Sequence, residues 1–310
     1  MTTPAPDDRP LPQRVLIAGA TGFIGGALAA RIAREGIEVR RLTRRARAAS
    51  DVSWDPERGT FDGRALDGVD AVVNLAGEKI DQRWNADRKR QIRESRIRAT
   101  ALLARAIAER SDRPRVFVSG SAVGIYGDRG DETLDERSAL GDDFLARVAQ
   151  EWEDAARPAA VAGVRVVHPR TGIVLGAGGG ALARMLTPFR LGAGGPLGGG
   201  RQWMSWIALT DMVEALLFAL RSEALVGPAN FTAPDPARSA DFAATLGRVL
   251  HRPAVVPTPP FALKLLFGGE MVDATLLASQ RALPKALQDA GFEFRFPRLE
   301  EALRHELSAS

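Results

Sequence analysis

Residues 15–19, VLIAG, form a continuous apolar run that ends in glycine, as a strand does when a parallel sheet is covered on both faces. From 23 to 35 the apolar positions change to helical spacing and stop before Gly36. The alternation then repeats along the chain. Strands are predicted at 37–43, 51–54, 69–76, 115–119 and 164–168, with helices at 85–110 and about 143–162. The longer helix carries Ile92, Leu102, Leu103, Ala106 and Ile107 along one side. Strands and helices alternating at this length imply an α/β fold built on a doubly wound parallel sheet.

The pattern changes twice. Residues 176–200 hold ten glycines in twenty-five positions, the composition of a surface loop near a ligand. After Pro228 apolar helical stretches alternate with proline breaks at 234, 236, 253, 257, 259, 260 and 284. The expected division is a nucleotide-binding domain at 13–175, rejoined by 205–230. A small, mainly helical C-terminal domain would comprise 176–204 and 231–310.

Composition narrows the chemistry. The chain has 310 residues, no cysteine and three scattered histidines, His168, His251 and His305. Disulfides, thiolate metal sites and a cysteine nucleophile are thereby excluded, and no metal site is expected. A net charge of +4, without basic and aromatic interleaving, gives no reason to expect nucleic acid as a partner. No apolar stretch approaches the ~18 residues of a membrane span, and the polar, proline-rich start lacks the pattern of a secretory signal. A cytoplasmic protein acting on a small molecule is expected, with its oligomeric state open.

The strongest motif is Gly19-Ala20-Thr21-Gly22-Phe23-Ile24-Gly25, set between the first strand and the first helix. The first glycine permits a tight turn, the second a close approach of a pyrophosphate, and the third close helix packing. Backbone N–H groups and the helix dipole then hold the phosphates. This is the dinucleotide fingerprint of a Rossmann domain. The end of the second strand reads Thr43-Arg44-Arg45, with no carboxylate before Asp51. NAD sites place an acid there for the ribose hydroxyls, whereas forked guanidinium donors suit a 2′-phosphate. NADP(H) is therefore the expected cofactor. Leu75-Ala76-Gly77, at the end of the next strand, would lie against the adenosine half.

These motifs resemble the extended short-chain dehydrogenase/reductase superfamily, and in particular an atypical epimerase/oxidoreductase branch of it. The resemblance covers about residues 14–305. Its segments include NLAGE at 74–78, SRIRAT at 95–100, SGSAVGIYG at 119–127, RTGIVLG at 170–176 and PFRLGAGGPLGGGRQWMSWI at 188–207. The resemblance implies a seven-stranded Rossmann domain with a small C-terminal domain closing over the nicotinamide. It also implies that Ser119, Gly120, Pro169, Arg170, Thr171 and Gly172 continue the cofactor surface.

The superfamily's usual Tyr-x-x-x-Lys pair is missing. Tyr126 is the single tyrosine and is followed four positions on by Gly130, while Leu145 and Ala149 stand where tyrosine and lysine would. The candidate catalytic residues are Ser121, Tyr126 and Arg96, the last able to bind an anionic substrate or a developing oxyanion. Arg83-Trp84 and Arg201-Gln202-Trp203 are the candidate substrate-binding groups, each offering charge and a flat apolar face. Three functions are expected, in descending order. The first is an NADP(H)-dependent oxidoreductase of a small carbonyl or enone substrate. The second is a noncatalytic NADP(H) sensor, and the third a nucleotide-sugar epimerase or dehydratase.

Overall fold

The computed structural model describes residues 10–48 and 50–308. Seven strands form its centre: β1 (Arg14–Ala18), β2 (Glu38–Thr43), β3 (Asp51–Asp55), β4 (Ala71–Asn74), β5 (Val116–Ser119), β6 (Arg165–Thr171) and β7 (Gly227–Phe231). They lie in the order β7-β6-β5-β4-β1-β2-β3, each neighbouring pair parallel. Two short pieces extend the sheet: Thr60–Phe61 runs antiparallel to β3, and Ser121–Ala122 pairs with the end of β6. The order reverses between β1 and β4. In open sheets of this kind the crevice at that reversal, outside the strands' carboxyl ends, is where ligands bind.

The apolar run in β1 follows from burial on both faces. Val15 and Ile17 pack with Leu28 and Ile32 of α1 (Phe23–Arg34), and with Met212 and Leu216 of a helix at Leu209–Arg221. Leu16 and Ala18 point the other way, toward Leu103 and Ile107 of α2 (Ala86–Ala108). α3 (Phe144–Asp154) ends earlier than its apolar spacing predicts, and a separate short helix follows at Arg157–Val161. Pro158 has no N–H with which to continue the ladder.

The glycine-rich stretch differs from the expectation of a loop. It contains α4 (Gly180–Arg190), whose Leu182, Leu186 and Phe189 are buried. These side chains share a third core with Trp206 and with Phe242 and Leu246 of the Ser239–Leu250 helix. Several of its glycines make room for neighbours. A Cβ on Gly194 would lie 2.4 Å from the Phe189 ring, and one on Gly195 only 2.1 Å from the Val256 carbonyl oxygen. Among the described residues no helix is long and apolar enough to cross a membrane.

Candidate functional site

The turn from β1 into α1 has little tolerance for side chains. Gly19 adopts a φ of +83°, and a Cβ there would meet Leu75 at 2.8 Å. A Cβ on Gly25 would lie 2.2 Å from the Gly19 carbonyl oxygen. Gly22 donates its N–H to that same oxygen at 2.9 Å. It is also the N-cap of α1, with no side-chain hydrogen bond and no acidic residue in the first turn. The N-termini of α2 and α3 differ in this respect. Asn85 accepts from Arg88 N at 2.7 Å and Asp143 from Ala146 N at 2.8 Å. The free donors and positive dipole end of α1 are thus left for another acceptor.

Beside this turn lies an open pocket of about 620 Å³ lined by Thr21, Arg41, Thr43, Arg44, Arg45, Arg47 and Asp51. Arg41 is already engaged, donating from Nε to Asp51 at 2.8 Å. Arg44 and Arg45 are exposed, Arg44 approaching Glu78 at 3.8 Å. Thr43 Oγ1 is buried without a hydrogen-bond partner among the described residues. Phe23 faces the opposite way. Its ring fills the hollow beside Gly176 and Gly179, whose added Cβ atoms would sit 2.7 and 2.6 Å from it. Phe23 therefore fixes the start of the glycine-rich stretch against the beginning of α1, a contact the spacing of the glycines does not reveal. Ile24 packs at the edge of the core beneath.

Leu75, Ala76 and Gly77 leave β4 and run past the glycine turn. Their backbone is held by Asn74, whose Oδ1 accepts from Ala76 N at 3.2 Å. Asn74 Nδ2 in turn donates to Thr100 Oγ1 at 2.8 Å, which also accepts Trp152 Nε1 at 2.9 Å. The Trp152 ring closes against Gly120, where a Cβ would be 2.8 Å away. Arg96 lies along Gly77, with its guanidinium carbon 5.2 Å from the centre of the Trp152 ring. Burial pushes the Arg96 guanidinium down to about 10. Ser119 Oγ, at the end of β5, is buried without a partner among the described residues.

The two candidate hydroxyl donors belong to a different environment. Ser121 donates to Glu153 at 2.6 Å. Glu153 also receives Arg170 Nε and Nη2, each at 2.9 Å. Arg170 Nη1 reaches the Tyr126 hydroxyl at 3.0 Å, and that hydroxyl donates to Asn230 at 2.8 Å. The Tyr126 side chain is fully buried, not at a pocket rim, and burial pushes its phenol above the ordinary range. Glu136 completes the cluster by accepting Asn230 N and Ala286 N at 2.9 and 3.0 Å. Nearby, Pro169 is buried and its carbonyl accepts the Thr171 hydroxyl at 3.2 Å. Gly172 is pressed against Ser205, where a Cβ would meet the carbonyl oxygen at 2.5 Å.

The substrate-side residues are separated. Arg83 donates to the Leu265 carbonyl at 2.7 Å. Trp84 donates to the Ile80 carbonyl at 2.8 Å and packs edge-on against Phe144, centroids 5.1 Å apart. Gln202 is buried and donates to the carbonyls of Leu197 and Leu276 at 3.1 and 3.0 Å. Trp203 lies between the guanidiniums of Arg238 and Arg281, 4.5 and 4.4 Å from its ring, and donates to Asp131 at 2.9 Å. The Trp203 ring expected to meet a substrate is thus taken by this chain's own cations, and the Trp84 ring by Phe144. Arg83 and Arg201 are the exposed members of the set; Arg83 is tied to Leu265, whereas Arg201, among the described residues, offers its carbonyl to Arg238.

Comparison with known proteins gives the family. The sequence matches the NAD dependent epimerase/dehydratase family over residues 15–231 and a domain of unknown function, DUF1731, over 258–306. An epimerase family protein of Mycobacterium leprae is 44% identical over 293 residues, covering 94% of each chain. The crystal structure of human epimerase family protein SDR39U1 with NADPH superposes with a TM-score of 0.88 at 36% identity, covering 96% of this chain and 100% of that one. A nucleoside-diphosphate sugar epimerase structure from Corynebacterium glutamicum gives 0.80 at 39% identity, covering 97% of this chain and 59% of that one.

Proposed function

The chain belongs to the NAD-dependent epimerase/dehydratase family, and from that premise we propose that it binds NADP(H) and acts as an oxidoreductase on a small carbonyl or enone substrate. The observation that carries the cofactor is the pocket in which Thr21, Thr43, Arg44 and Arg45 meet beside the uncapped start of α1. The residues fit the group. Gly19 and Gly25 keep the turn tight, because a Cβ at either would press on neighbouring backbone, and Thr43, whose buried Oγ1 has no partner among the described residues, lines the same pocket. The N–H groups of Phe23 and Ile24, in the first turn of α1, would hold the pyrophosphate, while the Gly22 N–H closes the turn onto Gly19. Arg44 and Arg45 would hold the 2′-phosphate through charge-assisted hydrogen bonds. Leu75, Ala76 and Gly77 would bound the nucleoside on the far side of the turn.

Hydride chemistry is what the bound nicotinamide supplies. The protein's part is to orient it and to exclude water, a role that Trp152 of α3, packed against Gly120 after β5, would serve. Proton delivery rests on less than in typical relatives of this fold. Ser121 gives its hydrogen to Glu153 and Tyr126 gives its own to Asn230, so solvent water is the proton source in this reading. That restricts the substrate to one activated enough to need no strong acid.

The same two hydrogen bonds favour a second reading, a noncatalytic protein whose partner senses bound NADP(H). An epimerase is the weakest reading, because removing a hydroxyl proton needs a base, and Leu145 and Ala149 occupy the positions of the usual pair. Calorimetric titration with NADPH and with NADH tests the cofactor. Micromolar NADPH binding with much weaker NADH binding is expected, and no binding of either removes the proposal. Turnover of NADPH on a carbonyl and enone panel separates the oxidoreductase from the sensor.

A further inference from the structure

Most arginines near the sheet's carboxyl edge have a carboxylate partner. Arg170 has Glu153, Arg41 has Asp51 and Arg88 has Glu78. Arg96 has none among the described residues. Its one hydrogen bond runs from Nη1 to the carbonyl of Ile92, one turn back on its own helix, at 2.9 Å. The guanidinium lies close to Gly77, with its carbon 5.2 Å from the centre of the Trp152 ring. Desolvation there is enough to make the charged form harder to keep, and Glu78 offsets it only through space. Among the described residues its Nε and Nη2 have no hydrogen-bond partner, which leaves them for an incoming acceptor.

Its position tells which acceptor. A dinucleotide with its 2′-phosphate at Arg44 and Arg45, beyond β2, and its pyrophosphate at α1 extends across β1 toward the ends of β4 and β5. Gly77 follows β4, and Gly120, which Trp152 covers, follows β5. Arg96 therefore stands at the reacting end. We propose that Arg96 is the seat of a substrate carboxylate, so that the substrate class is a carboxylate-bearing carbonyl or enone compound; this rests on the NADP(H) oxidoreductase reading. A planar carboxylate matches a guanidinium in a two-point contact. Gly77 belongs to the same device, because a Cβ there would meet the Arg96 guanidinium carbon at 3.2 Å.

The test uses the full chain saturated with NADP and titrated with oxalate, followed by calorimetry and by tryptophan fluorescence, to which Trp152 contributes beside Arg96. Inorganic phosphate is titrated in parallel. Saturable oxalate binding is expected in the wild type. In Arg96→Met it should weaken on the order of tenfold to a hundredfold, and Arg96→Lys should recover part of it. NADPH affinity should be the same in all three proteins, which also shows that the variants fold. The proposal is overturned by oxalate binding equally to Arg96→Met, by phosphate binding more tightly than oxalate, or by a loss of NADPH affinity in Arg96→Met. Intact NADPH binding with no oxalate response overturns it alone. Failure of the wild type to bind NADPH overturns the cofactor reading with it.

Discussion

Arg170 donates from Nε and Nη2 to the two carboxylate oxygens of Glu153, both at 2.9 Å, and neither side chain reaches far into solvent. The pair ties the end of β6 to α3. Burial alone would depress the Arg170 guanidinium, but the Glu153 hydrogen bonds and charge hold it above its ordinary value. Ser121 and Tyr126 are both hydrogen-bonded into this pair. The hydroxyls nearest the expected catalytic positions thus serve the packing of β6 against α3 and the C-terminal segment.

Removing one charge of such a pair leaves the other buried and uncompensated. Glu153→Gln is expected to cost about 3–5 kcal/mol of stability, read as a lower denaturation midpoint. Ser121→Ala, which removes a single hydrogen bond to a carboxylate, should cost about 1.5–3 kcal/mol. If Glu153→Gln cost less than about 1 kcal/mol, the range of exposed pairs, Arg170 would have to find other acceptors and the pair would not organise this region.

Tyr126 supplies a pH test, because it is the chain's single tyrosine. Desolvation raises its phenol, while the Arg170 charge works the other way. The unfolded phenol ionises near ~10. A raised value in the folded state means that its contribution to stability is fully present below that pH and is lost as pH rises through the folded value. Ultraviolet titration should show the native phenol still protonated where a free tyrosine has ionised, with tyrosinate appearing together with unfolding. Ionisation at the ordinary pH in an intact fold would mean that solvent reaches the ring.

What could be read from the sequence follows the range of the forces involved. The glycine turn, the alternation of strands and helices, and the position of Arg44 and Arg45 are local consequences of backbone sterics and hydrophobic period. The surroundings of Tyr126 are not local. Arg170, Asn230 and Glu136 arrive from three other segments, and no spacing marks them. Trp203 is a similar case: its sequence neighbours Arg201 and Gln202 drew attention, yet Arg238 and Arg281 cover its ring. The glycine-rich stretch was legible as unusual, but not as the place where Phe23 and Phe189 need space. Arg96 could be picked out by position, whereas its lack of a carboxylate partner required the fold.

The glycine turn can be tested sterically. In Gly25→Ala the new methyl would fall 2.2 Å from a backbone oxygen, which cannot move aside as a side-chain tip can. The turn must shift, at a cost of about 1–3 kcal/mol, and NADPH affinity should fall with it. Gly178→Ala is the control, since nothing lies within 4 Å of its Cβ position; stability and binding should both be unchanged. Equal behaviour of the two variants would show that the turn is not under this constraint.

The arginines beyond β2 decide which dinucleotide is preferred. Arg44 and Arg45 are exposed and, apart from the 3.8 Å approach of Arg44 to Glu78, they are uncommitted, so replacing them disturbs little of the fold. Each charge-assisted hydrogen bond lost to the 2′-phosphate is worth about 1.5–3 kcal/mol. Arg44→Ala with Arg45→Ala should therefore weaken NADPH by at least about tenfold, while NADH, which has no 2′-phosphate, should change little. Because exposed charges are screened by salt, raising ionic strength should narrow the gap between the two cofactors in the wild type and leave the double variant almost unaffected. Equal loss of NADPH and NADH would mean that these side chains shape the pocket without reading the phosphate.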